Sequence, residues 1–217
     1  LWYHPAVLKL RDLIANGELG QLRYISSNRL NMGKLRREEN VLWSFAPHDI
    51  SVIQGLVGEK PEFVRASGGA FLDQSVADVT LTELTFSNGI RGFVFVSWLH
   101  PFKEQKLVVV GDKKMVTFCD MTKELVLHDQ HVDWQEGQPV PVKGDGVNVE
   151  FSDEMPLDIE CQHFADCVAN QTQARTDGRN GLRVLTILHD AQRSLDANGE
   201  IVTCKLGDKK EVTHVAG

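Results

Sequence analysis

We predict an α+β domain for this 217-residue sequence, with one large, mostly antiparallel, open-faced sheet and helices on one face. Three observations lead to this class. Six runs rich in β-branched and aromatic residues fill the middle of the chain, between residues 63 and 128. The connections between these runs are too short for crossover helices, which indicates antiparallel neighbours. Helical patterns occupy both ends of the chain, and this segregation is typical of α+β domains.

The first elements are a helix, a strand and a second helix. The first helix begins at Pro5, where a first turn accepts proline, and stops at Gly17. An alternating pattern predicts a strand from Leu22 to about Asn31, and the polar residues 32–40 predict an exposed loop. The second helix is predicted from about Ala46 to Val57.

The middle of the chain is predicted to form six strands. Asn88-Gly89 lies between two of them and is a strong hairpin signal. The predicted strands are Phe63–Ala70, Val79–Phe86, Ile90–Trp98, Lys106–Val110, Met115–Cys119 and Glu124–His128. The following residues 135–154 are rich in Gly, Pro and Asp, which predicts a long loop.

Two amphipathic helices and a last strand beginning near Ile201 complete the chain. Each helix shows an apolar stripe at helical spacing. The stripes consist of Leu157, Cys161, Phe164 and Val168, and of Val184, Leu188, Ala191 and Leu195.

The predicted strand around Phe93 and Phe95 is apolar on both faces, because Val94 and Val96 alternate with the two phenylalanines. A strand of this kind is usually buried on both sides. We therefore expect a homo-oligomer packed sheet to sheet. The alternative is that the long loop covers the second face.

Composition excludes several classes of function. The chain has 30 acidic and 23 basic residues and a net charge of −7, which argues against nucleic-acid or membrane-surface partners. No apolar run approaches the roughly 20 residues that span a bilayer. The four cysteines form no CxxC pair, so we expect reduced thiols in a cytoplasmic protein and no metal site. The first residue is Leu1, which leads us to expect a truncated chain.

His48 is the main candidate for chemistry. It follows Pro47 at the predicted start of the second helix, where the positive end of the helix dipole disfavours an imidazolium. A neutral imidazole can accept a proton from a substrate alcohol. The alternative is a solvated first-turn histidine beside Asp49.

Four further residues are candidates for substrate binding, each with a structural alternative. Ser44 lies just before the predicted helix and could instead be its N-cap. Arg29 and Arg37 could clamp a phosphate or carboxylate, although charged loop residues are often simply solvated. His163 could face solvent on its helix. No G-x-G-x-x-G after a strand, P-loop, H-E-x-x-H or G-x-S-x-G occurs, so the chain carries no recognisable nucleotide-binding unit.

Several segments, taken in order, resemble a known family. They are Tyr3-His4-Pro5, Gly17–Gly20, Leu22–Ile25, Leu42–Ser51, Ser97-Trp98, Val110–Met115 and Cys161–Phe164. Their order and spacing are similar to the C-terminal half of the Gfo/Idh/MocA oxidoreductases, over essentially the whole chain.

The resemblance implies that residues 1–217 form a single C-terminal substrate-binding and oligomerisation domain with a dihydrodipicolinate-reductase-like fold. It implies NAD or NADP, bound mainly by an N-terminal Rossmann domain that this chain lacks. The implied reaction is hydride transfer at a hydroxyl or ketone of a sugar or nucleotide sugar. The implied partners are copies of the chain, as a homodimer or homotetramer assembled through the open sheet face.

The resemblance also assigns roles. His48 matches the family histidine that handles the hydroxyl proton, whereas Ser44 stands where the family has an aspartate. Glu59-Lys60-Pro61 resembles the family's catalytic lysine motif but comes after His48, so we interpret Lys60 as a surface turn residue. A non-catalytic ligand-binding or assembly module of the same fold is the alternative function. We expect no dehydrogenase activity from this chain alone.

Overall fold

A computed structural model describes residues 1–205 and confirms the α+β class. The helices are α1 (Pro5–Ala15), α2 (Val41–Val57), α3 (Pro156–Asn170) and α4 (Gly178–Asp196). The strands are β1 (Leu22–Leu30), β2 (Pro61–Gly69), β3 (Val79–Phe86), β4 (Arg91–Ser97), β5 (Glu104–Gly111), β6 (Met115–Cys119), β7 (Glu124–His128), β8 (His131–Gln135), β9 (Gln138–Val142), β10 (Gly146–Asn148) and β11 (Val202–Thr203).

Nine strands form one sheet in the order β10-β7-β6-β5-β1-β4-β3-β2-β11. All neighbouring pairs are antiparallel except β1 and β4, which run parallel with Ser27 opposite Val94. The prediction that strands with short connections are neighbours is wrong for β4 and β5. β1 lies between them, and the connection at residues 98–103 passes over its end. The first strand of the chain is therefore the centre of the sheet.

The predicted long loop at residues 135–154 is wrong in part. β8 and β9 form a separate hairpin, and β10 pairs with the edge strand β7. The hairpin turns at Glu136 and Gly137, whose φ angles of 51° and 78° are both in the left-handed region. Two consecutive left-handed residues match the twist of a tight antiparallel hairpin. The Gly- and Pro-rich composition of this segment instead predicted a loop.

Helices α1, α2 and α4 cover one face of the sheet, as predicted. The side chains that they bury include Val7, Leu10, Ile50, Ile53, Ile187 and Leu188. Phe151, which follows β10, contacts His4 and Phe118 on this same face, so it does not cover the other. On the open face Phe93 and Phe95 are half-buried, and Leu81 and Tyr24 are 45% and 39% exposed. The open face is thus partly apolar and uncovered within residues 1–205.

Helix α3 differs from its prediction in packing. The apolar stripe of α4 is buried at Val184, Leu188 and Ala191, but Cys167 is the buried residue of α3. Leu157, Phe164 and Val168 are each 64–65% exposed. Helical spacing correctly predicted this helix, yet its apolar face has no cover in the part of the chain that is described. No helix among residues 1–205 has the length and hydropathy needed to cross a membrane.

Candidate active site

Helix α2 carries the candidate site, and it begins five residues before its predicted start. Asn40 is the N-cap, and its side-chain oxygen accepts the backbone N–H of Trp43 at 3.2 Å. The Asn40 amide and the Trp43 indole both donate to Gln192 of α4, at 2.8 and 3.0 Å. These contacts stabilise the first turn of α2, where the sequence lacks the apolar spacing from which a helix is predicted. Pro47 therefore lies inside the helix, where it leaves the Trp43 carbonyl without its usual intrahelical donor.

His48 consequently lies in the middle of α2, not at its N-terminus, and the interpretation based on the helix dipole is wrong. Its pKa is nevertheless lowered from the ordinary value of 6.5. The main cause is desolvation of the imidazole against its neighbours, the positive charge of Arg29 adds to it, and Asp49 opposes it. Part of the side chain remains exposed. A neutral and accessible imidazole is the state that a proton acceptor requires.

Ser44 lies one turn before His48, on the same outer face of α2. Since Asn40 is the N-cap, the alternative role of Ser44 as the cap is wrong. The same face continues through Ser51 to Gly55. The indole of Trp2 lies directly on Gly55, where a Cβ atom would come within 2.3 Å of the ring. The outer face of α2 is therefore a row of small and polar residues that Trp2 closes at one end.

Arg29 and Asp49 form a buried ion pair between β1 and α2. The Arg29 side chain is 12% exposed and that of Asp49 is 6% exposed. Arg29 donates from Nε and Nη2 to the two carboxylate oxygens, at 2.7 and 3.1 Å. Ser27 donates from Oγ to the same carboxylate at 2.7 Å. The guanidinium that the sequence suggested as a substrate clamp is thus directed to Asp49, the residue next to His48.

A second layer of polar side chains supports this pair, and sequence reasoning missed it. With its amide oriented to suit both neighbours, Gln105 accepts from Arg29 Nη1 at 3.2 Å and donates to Asp120 at 2.9 Å. Asp120 lies 3.6 Å from His4 Nε2, and His4 Nδ1 accepts the Ala6 N–H at 3.2 Å. Arg29, Gln105 and Asp120 line a cavity of about 20 Å³. The sequence signal that was available is a histidine before Pro5, at the N-cap position of α1.

Arg37 and His163 have hydrogen-bond partners other than His48. Arg37 is exposed on the loop before α2, and its backbone N–H donates to Glu38. His163 of α3 accepts the backbone N–H of Arg175 at 3.0 Å and contacts the Tyr3 ring at a centroid distance of 5.5 Å. Lys60 is exposed in the connection between α2 and β2.

The described residues do not fit a dinucleotide. Its pyrophosphate binds at a glycine-rich turn between a strand and a helix. The two strand-to-helix connections of residues 1–205 are residues 31–40 and 149–155, which contain one glycine, Gly33, between them. Residues 1–205 therefore contain no pyrophosphate-binding turn of this kind.

The fold and the site define a class: an α+β domain with one large, mostly antiparallel sheet and a histidine on the outer face of the helix that follows the central strand. The particular family follows from comparison. A model of the GFO/IDH/MocA C-terminal domain matches residues 7–117, about half of the chain. This chain belongs to the Gfo/Idh/MocA family.

The chain is also similar to known proteins, in sequence to one and in fold to others. The chain is 25% identical over 181 residues to a trans-1,2-dihydrobenzene-1,2-diol dehydrogenase of Bos taurus, covering 76% of this chain and 51% of the relative. A UDP-N-acetylglucosamine 3-dehydrogenase of Acidithiobacillus ferrooxidans shares the fold with a TM-score of 0.77 and 22% identity, over 91% of this chain and 61% of the other. Levoglucosan dehydrogenase in complex with NADH has a TM-score of 0.78 and 16% identity, with coverages of 94% and 64%. The chain thus spans about half to two-thirds of the length of these relatives.

Proposed function

We propose that residues 1–217 are the C-terminal substrate-binding and oligomerisation domain of an NAD(P)-dependent oxidoreductase that acts on a sugar or nucleotide sugar. His48 is the general acid/base of the reaction. One observation carries this proposal: a histidine with a lowered pKa is accessible on the outer face of α2, in a domain of this family.

The chemistry of His48 follows from its protonation state. When a substrate hydroxyl is oxidised to a carbonyl, the hydroxyl must lose its proton as the C–H bond breaks. A neutral imidazole within hydrogen-bond reach accepts that proton, and the imidazolium returns it in the opposite direction. The Ser44 hydroxyl, one turn away on the same face, can donate to a substrate oxygen and orient it.

A nicotinamide supplies or accepts the hydride in this family of reactions, and we place its site in another domain of a longer protein. Two observations support a further domain beside α2 and α3. The relatives are longer than this chain. The exposed apolar residues of α3 lie on a helix whose His163 contacts Tyr3, and the neighbouring residue Trp2 lies on Gly55 of α2. Large exposed apolar surfaces of this kind usually meet another surface.

The substrate class is proposed from the names of relatives and from charge. UDP-N-acetylglucosamine and levoglucosan are a nucleotide sugar and a sugar derivative, respectively. The exposed loop between β1 and α2 carries Lys34, Arg36 and Arg37, and guanidinium groups suit the diphosphate of a nucleotide sugar.

Assembly is proposed to occur through the open face of the sheet, as a homodimer or homotetramer. Phe93, Phe95, Leu81 and Tyr24 form an apolar centre on this face. Two copies that pack sheet to sheet would bury these side chains, which are half-buried or exposed in one copy.

The test is a kinetic comparison in the full-length protein. We expect His48→Ala to lower kcat on the order of 100-fold or more with a sugar or nucleotide-sugar substrate. His131→Ala, on the β8–β9 hairpin, is the matched control and should leave turnover unchanged. Equal turnover in both variants would overturn the role of His48. A full-length protein that binds such a ligand without oxidising it would favour a non-catalytic binding module, which the replacement of an acidic residue by Ser44 also fits.

A further inference from the structure

We propose that Arg29 is a positioning residue for His48, held beneath α2 by Asp49 and Gln105, and that it does not bind substrate. The catalytic importance of Arg29 rests on the proposed role of His48. The coupling between Arg29, Asp49 and His48 can be tested without measuring a reaction.

The Arg29–Asp49 pair joins helix α2 to the sheet next to His48. Asp49 is the next residue of α2 and points to the sheet, while His48 lies on the outer side. Two parallel hydrogen bonds of 2.7 and 3.1 Å join Asp49 to Arg29, so this pair resists both rotation and sliding of the helix. The Ser27 hydroxyl adds a third bond to the same carboxylate at 2.7 Å. The backbone of residues 48 and 49 is therefore fixed relative to the central strand.

Arg29 is itself anchored, which is what a positioning group requires. Its remaining contact, from Nη1 to Gln105 at 3.2 Å, joins it to β5. Gln105 in turn donates to Asp120, which faces His4 at the start of α1. These polar groups connect α2 through two strands to α1. A guanidinium held in this way would lose buried hydrogen bonds if it swung out to a substrate.

The charges around His48 give the arrangement a measurable signature. The groups acting on the imidazole are Arg29 from β1, Asp49 from α2 and the amino group of Leu1 from the segment before α1. Arg29 disfavours the imidazolium and Asp49 favours it. Removing either partner should therefore move the His48 titration, in opposite directions, whereas general loosening of the structure would move it in the same direction for both.

The experiment is an NMR titration of the His48 imidazole in this chain between pH 4.5 and 8.5. R29Q should raise the pKa of His48, and D49N should lower it. The double variant R29Q/D49N, which is neutral at both positions, should titrate close to the wild type. The matched control is R193Q, which removes the Arg193–Asp190 ion pair of 2.8 Å on α4 and should leave His48 unchanged.

The outcomes are distinct. Opposite shifts with recovery in the double variant support the proposal. Shifts in the same direction, or a shift in R29Q no larger than in R193Q, overturn it. If R29Q does not fold, D49N decides: a downward shift supports the proposal, and no shift or an upward shift overturns it. Because no activity is measured, a failure here leaves the kinetic test of His48→Ala intact, and a failure there leaves this result intact.

Discussion

The buried pair of Arg29 and Asp49 should dominate the local stability of the site. Asp49→Ala removes a carboxylate that accepts bonds of 2.7, 2.7 and 3.1 Å and leaves Arg29 buried with Gln105 as its neighbour. Breaking one partner of a buried pair costs about 3–5 kcal/mol, because the other charge stays desolvated. A domain of this kind has about 5–15 kcal/mol in total, so the variant should lose a large share of its stability.

Equilibrium unfolding in urea, followed by tryptophan fluorescence at pH 7, measures this loss. Asp12→Ala is the control, because Asp12 pairs with Arg11 at 3.3 Å with side chains 57% and 40% exposed. An exposed pair contributes about 0–1 kcal/mol. The double variant R29M/D49L should recover most of the stability, since apolar side chains of similar volume replace a buried ion pair at little cost. If the unfolding free energies of Asp49→Ala and Asp12→Ala differ by less than about 1 kcal/mol, the Arg29–Asp49 pair does not contribute as a buried ion pair should.

Two further outcomes are expected. Burial lowers the pKa of His4 below its ordinary value of 6.5. Between the two pKa values the unfolded chain binds a proton at His4 and the native state does not. The free energy of unfolding should therefore fall as the pH drops from about 7 through the folded pKa. His4→Asn keeps an N-cap acceptor for α1 but removes the titrating imidazole. The unfolding free energy of this variant should therefore change less between pH 7.5 and 5 than that of the wild type. An unchanged pH dependence would contradict this reasoning. For the open sheet face, sedimentation equilibrium should show a dimer or tetramer that Phe95→Lys disrupts and Val132→Lys, on the exposed hairpin, does not. A wild-type chain that sediments as a 24.3 kDa monomer would exclude assembly through this face.

Much of the fold could be predicted because its signals are local. The bounds of β3, β6 and β7 agree with the prediction, and every predicted helix exists. The errors arose where a distant contact decided the outcome. Helix α2 starts at Val41 because Gln192 of α4 supports its first turn, although Pro47 suggested a later start. The apolar stripe of α3 indicated a helix but could not indicate what covers it.

The candidate site divides in the same way. His48 was predicted to lie on the second helix, but Ser44 was predicted to lie just before it. The earlier start of α2 at Val41 places both residues on one helix face. The partner of Arg29 could not be predicted, because Asp49 is 20 residues away and the two meet only when α2 crosses β1. A charged loop residue and a buried ion-pair residue look alike in a sequence.

The sequence by itself determined the class of fold, the order of nearly all helices and strands, the family resemblance and the choice of His48. These depend on side-chain periodicity, turn residues and short motifs, which are properties of neighbouring residues. Only the tertiary structure decided that β1 is the central strand, that His48 lies in mid-helix with a pKa lowered chiefly by desolvation, and that Arg29 supports Asp49. Strand order, burial and ion pairing depend on groups far apart in the chain, and folding brings those groups together.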